Sequence, residues 1–189
     1  MKFSFTDLFN LVKEIILNPV SFWNSKRNVH ESQVVLFVQF LMPMIIAATI
    51  SVFLGEFFSS SHFYMGFAVL KALRETVLFI STYFLAVYFT NELMKSYGAK
   101  KNIDISRQLV AYSMTPLILV SMVTGLFRFL YVLEIVGMYG FYIFWIGARE
   151  LLVFPEQKKD SYIVITIVVN FLVFSFLSIL LSKLLTAYF

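Results

Sequence analysis

The sequence predicts an all-α, polytopic membrane protein with five transmembrane helices and an N-terminal amphipathic interfacial helix. Three observations predict it. Of 189 residues, 60% are hydrophobic and 14% charged, with a mean hydropathy of +0.84 and 23 phenylalanines. An ordinary globular domain is nearer half apolar and a quarter charged. Five apolar stretches follow one another, at 34–54, 76–93, 109–127, 130–152 and 162–185. Each is close to the roughly 20 residues that cross a bilayer core. The basic residues, finally, divide unequally between the two sides that five crossings create. This composition excludes disorder, a collagen-like repeat and a nucleic-acid-binding basic domain. It argues against a soluble domain, because too little polar surface is available to cover a core.

Residues 3–17 place Phe5, Leu8, Phe9, Val12, Ile15 and Ile16 along one stripe of a helix. Ser4, with Asp7 three residues on, is a candidate cap, and Asn18-Pro19 stops the helix. The stretch is too polar to span. It either lies in the membrane interface or docks on the protein's own core. Polar residues from Thr6 to Glu14 interrupt it, unlike the clean apolar run of a secretory signal, so no cleavage is expected. Residues 1–33 thus read as an N-terminal cytoplasmic segment and 34–189 as a five-helix transmembrane domain.

The connections differ. Residues 55–75 are too polar to span at Glu56, at 59–62 and at 71–75, and their second half extends the second helix out of the membrane. Residues 94–108 form a hydrophilic loop. Only Arg128 and Phe129 separate the third and fourth spans, which therefore make a tight helical hairpin. Residues 153–161 form a short polar loop broken at Pro155.

Orientation follows from lysine and arginine. Eleven fall on one side: Lys2, Lys13, Lys26, Arg27, Lys95, Lys100, Lys101, Arg107, Arg149, Lys158 and Lys159. Four fall on the other: Lys71, Arg74, Arg128 and Lys183. This predicts a cytoplasmic N-terminus and an exported C-terminus in a bacterial inner or plasma membrane.

Close helix contact in lipid needs small residues. Gln39, Pro43, Ala47, Ser51 and Gly55 recur every four residues as one candidate seam. Gly137, Gly140 and Gly147 share a face of the fourth span. Ser175, Ser178 and Ser182 share one of the fifth, with Asn170 roughly opposite. Pro43 and Pro116 lie inside spans, where each removes a backbone donor and can kink the helix. Pro116 leaves the Tyr112 carbonyl without its helical partner, and Gln39 or Asn170 are candidate donors to it.

No catalyst is evident. The spans carry ionisable groups only near their ends. Glu134 with Arg128 reads as a rim ion pair, and Arg149, beside Glu150, can snorkel to phosphates. His30 and His62 are the only histidines and fall on opposite sides, so they cannot share one metal. With no cysteine, no thiolate site exists, and no hydrolase, zincin or P-loop motif occurs. The sequence calls for no cofactor, no metal and no nucleic acid.

One pattern is recognisable. YGAKKNIDISRQLVAYSMTPLILV leads into the third span, with Gly98, Ala111, Tyr112 and Pro116. NPVSFW, with Pro19 and Trp23, precedes the first span, and GARELL, with Gly147 and Arg149, ends the fourth. Together these resemble the YIP family of Ypt/Rab-interacting membrane proteins, in its bacterial branch, over essentially the whole chain. The resemblance implies five spans and a cytoplasmic N-terminus. Eukaryotic relatives bind prenylated Rab-type GTPases through a membrane domain preceded by Asp-Leu-Tyr-Gly-Pro. That element and a long acidic arm are absent here, so Rab binding is not implied.

The expected role is non-enzymatic: membrane organisation, or a scaffold for partner proteins or for further copies of the chain. Lys26, Arg27, Lys100, Lys101, Arg107, Lys158 and Lys159 are candidate contacts to anionic lipid or to a partner at the cytoplasmic face. The alternative is a transporter or channel subunit for a small solute or lipid. It would show a mid-depth cavity lined by Gln39, Tyr112, Thr115 and Asn170.

Overall fold

Each of the five apolar stretches forms a helix long and apolar enough to cross a bilayer: Val35–Phe58, Met65–Ser96, Ile103–Leu126, Arg128–Leu151 and Lys158–Ala187. The computed structural model describes residues 5–27, 29, 31–59, 63–153 and 156–188, and no strand occurs among them. The expectations for Lys2, Ser4, His30, His62 and Pro155 lie outside the described residues.

Two helices precede the first span, α1 (Phe5–Leu17) and α2 (Pro19–Lys26). Proline suits the first turn of α2, since the missing N–H has no helical partner there. The first span opens with a π-helical stretch, Val35–Leu41, before α3 (Met42–Ser59). Pro43 follows directly. Its ring crowds the carbonyl one turn back, and the wider π turn carries the Met42 N–H to Phe37 O, five residues away.

Helix α4 runs Met65–Ser96, about 48 Å at 1.5 Å per residue. The polar stretch before the second span is therefore helical and continues it. Gly98, at φ 87°, then ends the helix. Its N–H donates to Lys95 O at 3.1 Å and that of Ala99 to Met94 O at 3.0 Å, a glycine-capped terminus. The third span is two helices, α5 (Ile103–Ser113) and α6 (Thr115–Leu126), broken at Met114 with Pro116 in the first turn of α6. Asn102 caps α5, its Oδ1 accepting from the N–H groups of Asp104 and Ile105 at 3.1 Å.

Phe127 turns the chain into a 3₁₀ segment, Arg128–Met138, followed by α7 (Tyr139–Leu151) and α8 (Glu156–Tyr188). The third and fourth spans do form a tight hairpin, with α6 packed along the 3₁₀ segment. The spans alternate in direction, α3 packs on α4 and α6, and α8 leans mainly on α4.

The glycine face of the fourth span is a seam. A Cβ on Gly137 would meet Leu117, one on Gly140 the Ser113 carbonyl, and one on Gly147 the Trp23 ring. The four-residue stripe of the first span is not. Only Gly55 lies in the packed face, which otherwise comprises Met44, Ile45, Ala48 and Val52, while Ala47 is exposed. A four-residue step overshoots the 3.6-residue turn by about 40°, so the stripe winds off the contact within a few turns.

Candidate functional site

The residues that carry the family resemblance converge at one end of the bundle. Helix α2 buries Pro19, Phe22 and Trp23 against α7 and its surroundings. The Trp23 indole donates to Ile143 O at 2.9 Å. Phe22, Trp23 and Phe40 pack edge-on or tilted around Tyr112, with ring centroids 4.8, 5.7 and 5.0 Å from it. Gly147 makes room for the indole, because a Cβ there would lie 2.6 Å from Trp23 Cζ2 and 2.8 Å from Leu109 Cδ2. The Tyr112 hydroxyl donates to Glu31, which also receives Lys26. The Lys26 ammonium lies 5.6 and 5.5 Å from the Phe22 and Tyr112 ring centres. Gln108 closes the cluster by donating to Val29 O at 2.7 Å.

Pro19, Trp23, Tyr112 and Gly147 are thus one packing unit. Pro116 stands a turn away at the α5–α6 break, buried beside Gly140. Gly98 caps α4 at the same end. Arg149 binds Asp160 at 2.8 Å and covers the Trp145 ring at 5.2 Å.

The basic residues at this end are largely cross-tied. Lys26 pairs with Glu31, Arg27 with Glu150 at 2.7 Å, Lys101 with Glu92 at 2.5 Å and Arg107 with Asp104 at 3.0 Å. Lys159 donates to Arg149 O at 2.7 Å. Lys100 and Lys158 are exposed and have no partner among the described residues. The ties from Arg27 and Arg149 join α2 to α7 and α7 to α8, so they fasten helix ends as well as carry charge.

A second polar cluster occupies the opposite end. The expected Arg128–Glu134 pair does not form. Arg128 instead reaches Glu56, the carboxylate that also receives Lys71 at 3.0 Å. Glu56 is buried near the end of α3, and the 3₁₀ segment swings Arg128 over it, whereas Glu134 lies two 3₁₀ turns further along. Arg74 donates to Glu75 at 3.0 Å and, from α4, to the Ser178 and Ser182 hydroxyls of α8 at 2.9 and 2.8 Å. Glu75 accepts from Ser121 at 2.5 Å. The serine face of the fifth span is therefore a hydrogen-bonded seam, and three of the four basic residues of this end are held inside the bundle. The sequence alone did not reveal the parts played by Glu31, Glu56 and Glu75, because Tyr112, Lys71 and Ser121, which they bind, lie 81, 15 and 46 residues away. The only local signal was a carboxylate next to an apolar span.

A cavity of about 720 Å³ opens from this cluster between α4 and α8 on one side and α6, the 3₁₀ segment and α7 on the other. Asn170 lines it; Gln39, Tyr112 and Thr115 do not. Asn170 donates to Thr90 at 3.2 Å, so it is not the donor to the Tyr112 carbonyl. Tyr112 belongs to the aromatic cluster at the other end.

Neither the curated proteins nor the solved structures give a match. A family model described as the Yip1 domain matches residues 13–178, from the last turns of α1 to the middle of α8. That span takes in the aromatic cluster, four crossings and most of the fifth, and the chain belongs to the Yip1-domain family of integral membrane proteins.

Proposed function

We propose that this Yip1-domain protein is a non-enzymatic organiser of the bilayer in a bacterial inner membrane. In this reading residues 1–33 form a cytoplasmic segment and 34–189 the membrane domain. The cytoplasmic end serves as a platform for partner proteins or a second copy of the chain. The single observation that carries the reading is α1. Its Leu8, Leu11, Val12 and Ile15 side joins the core, and Tyr139 donates to Ile16 O at 3.0 Å. Phe5 and Phe9, at the edge of the same stripe, are 87% and 69% exposed. The helix is docked on the core, and in this reading its exposed phenylalanines enter the membrane interface. Helix α1 packs beside α2 and α6, and in this reading it lies at the depth of an interfacial helix. A wedge held there by a rigid anchor expands one leaflet and not the other.

The eleven-to-four basic bias supports a cytoplasmic location for this end. Lys100 and Lys158, like Lys13 and Lys95 exposed and without a partner among the described residues, add attraction to anionic headgroups. Motif residues, on this view, hold α2 and with it α1 in place: Trp23, Tyr112 and Gly147 pack the joint, while Arg149 ties α7 to α8 through Asp160.

Two experiments test the reading. Phe9→Trp in vesicles should emit at short wavelength and be quenched by lipids brominated high on the acyl chain. Emission indifferent to brominated lipid would overturn the wedge. A reporter fused after Phe189 should be active on the exported side and one inserted within 98–104 on the cytoplasmic side. Activity of both on one side would overturn the orientation.

A further inference from the structure

The 3₁₀ segment, the charge pattern at its start and the unpartnered polar atoms of the cavity describe one site. Runs of 3₁₀ helix beyond three or four residues are uncommon. This one covers Arg128–Met138, with a kink at Leu130. Three residues per turn eclipse every third side chain. Tyr131, Glu134 and Gly137 consequently share one face, and all three line the cavity.

Charge along this face is uneven. Lys71 and Arg128 share the single carboxylate of Glu56, which leaves one positive charge uncompensated at the cavity rim. Glu134 has no cation among the described residues. It lies six residues beyond Arg128, about 12 Å along a 3₁₀ axis. Deeper still, the Thr82 and Ser113 hydroxyls and the Asn170 carbonyl oxygen are buried without a hydrogen-bond partner, and all three residues line the cavity. Thr82 is 4% exposed. Buried polar atoms of this kind are ordinarily satisfied. The mouth opens sideways, because Tyr131 and Ile135 line the cavity yet are 68% and 70% exposed. The surface beside it is apolar: Val132, Leu133 and Val136 of the 3₁₀ segment, and Phe171 of α8.

We propose that this cleft admits, from the side, the headgroup of a membrane lipid bearing both a phosphate and a primary ammonium. The phosphate meets Arg128 and Lys71, the ammonium meets Glu134, and Thr82, Ser113 and Asn170 receive the inner polar edge. Two charge-assisted hydrogen bonds of about 2.8 Å and the ethanolamine link between them bridge the separation of Arg128 and Glu134. The acyl chains stay in the bilayer against the apolar flank. A volume of about 720 Å³ lies within the range of ligand sites, roughly 300–1,000 Å³.

The full-length protein in nanodiscs of equal phosphatidylethanolamine and phosphatidylglycerol, stripped with mild detergent, should retain phosphatidylethanolamine several-fold over phosphatidylglycerol. Glu134→Gln should abolish that preference, since one hydrogen bond to a charged group is worth about tenfold or more. Its melting temperature should not change, because Glu134 is exposed and ties no helix. Equal retention of the two lipids, or an unchanged preference in the variant, would overturn the site. Displacement of the lipid by an equal concentration of soluble glycerophosphoethanolamine would overturn the bilayer as its source.

Discussion

Trp23→Ala is expected to lower the unfolding midpoint in detergent by on the order of 10 °C. The indole is fully buried, and truncating a buried tryptophan costs about 3–5 kcal/mol, with roughly 2–4 °C per kcal/mol in a chain of this size. Three losses act together. The cavity left beside Gly147 cannot refill, since the nearest backbone belongs to α7. Ile143 O loses its donor. Tyr112 loses one of the three rings packed around it. Trp23→Phe separates these losses: it keeps most of the volume, removes the hydrogen bond and should cost only about 1 kcal/mol. Thermal unfolding of both variants, with crosslinking between α2 and α7, checks the result. A Trp23→Ala protein that melts as before and keeps the crosslink would show that α2 is held by something other than the aromatic cluster.

Gly55→Ala is expected to be the most damaging single methyl group in the bundle. The added Cβ falls on the carbonyl oxygen of Gly125, with Gly125 C at 2.8 Å and Leu126 Cα at 3.0 Å. Those are backbone atoms, so no rotamer relieves the clash and α3 must move off α6. Overpacking of this kind costs about 1–3 kcal/mol, or roughly 5–10 °C in midpoint. The displacement also carries Glu56, the next residue, away from Lys71 and Arg128. The reciprocal Gly125→Ala should be milder, because its closest clash is the Val52 Cγ2 side-chain atom at 2.7 Å. Midpoints measured side by side decide the matter, and Gly125→Ala being the worse of the two would overturn the packing argument.

The residues show how far a linear reading reaches. Gly137, Gly140 and Gly147 read correctly as one seam, because a spacing of three, then seven, stays close to the helical period. The stripe from Gln39 to Gly55 did not, because steps of four drift round the helix and a π stretch at 35–41 resets the register. The partner of Arg128 was misplaced for a related reason. Glu134 is near in sequence, but in the 3₁₀ segment it lies two turns, about 12 Å, further along the axis. Glu56, 72 residues earlier, is brought beneath Arg128 by the close approach of α3 and α6 at Gly55 and Gly125. Amphipathic α1 posed two alternatives, interface or core, and its Leu8, Leu11, Val12 and Ile15 join the core. The motif residues Pro19, Trp23, Tyr112 and Gly147 could be named from their order along the chain, but not the reason for their association.

What the sequence by itself determined is the number of helices long and apolar enough to cross, the tight hairpin after Leu126 and the division of basic residues into two groups. These follow from transfer free energy, which each residue contributes separately, so a sum along the chain suffices. Tertiary structure alone decided which carboxylate neutralises which cation, where a carbonyl approaches a glycine, and that Thr82, Ser113, Asn170 and Glu134 face one cavity. Those are properties of pairs of residues far apart in the chain. In lipid they are set by close packing and hydrogen bonds, because burying one apolar face against another gains little there.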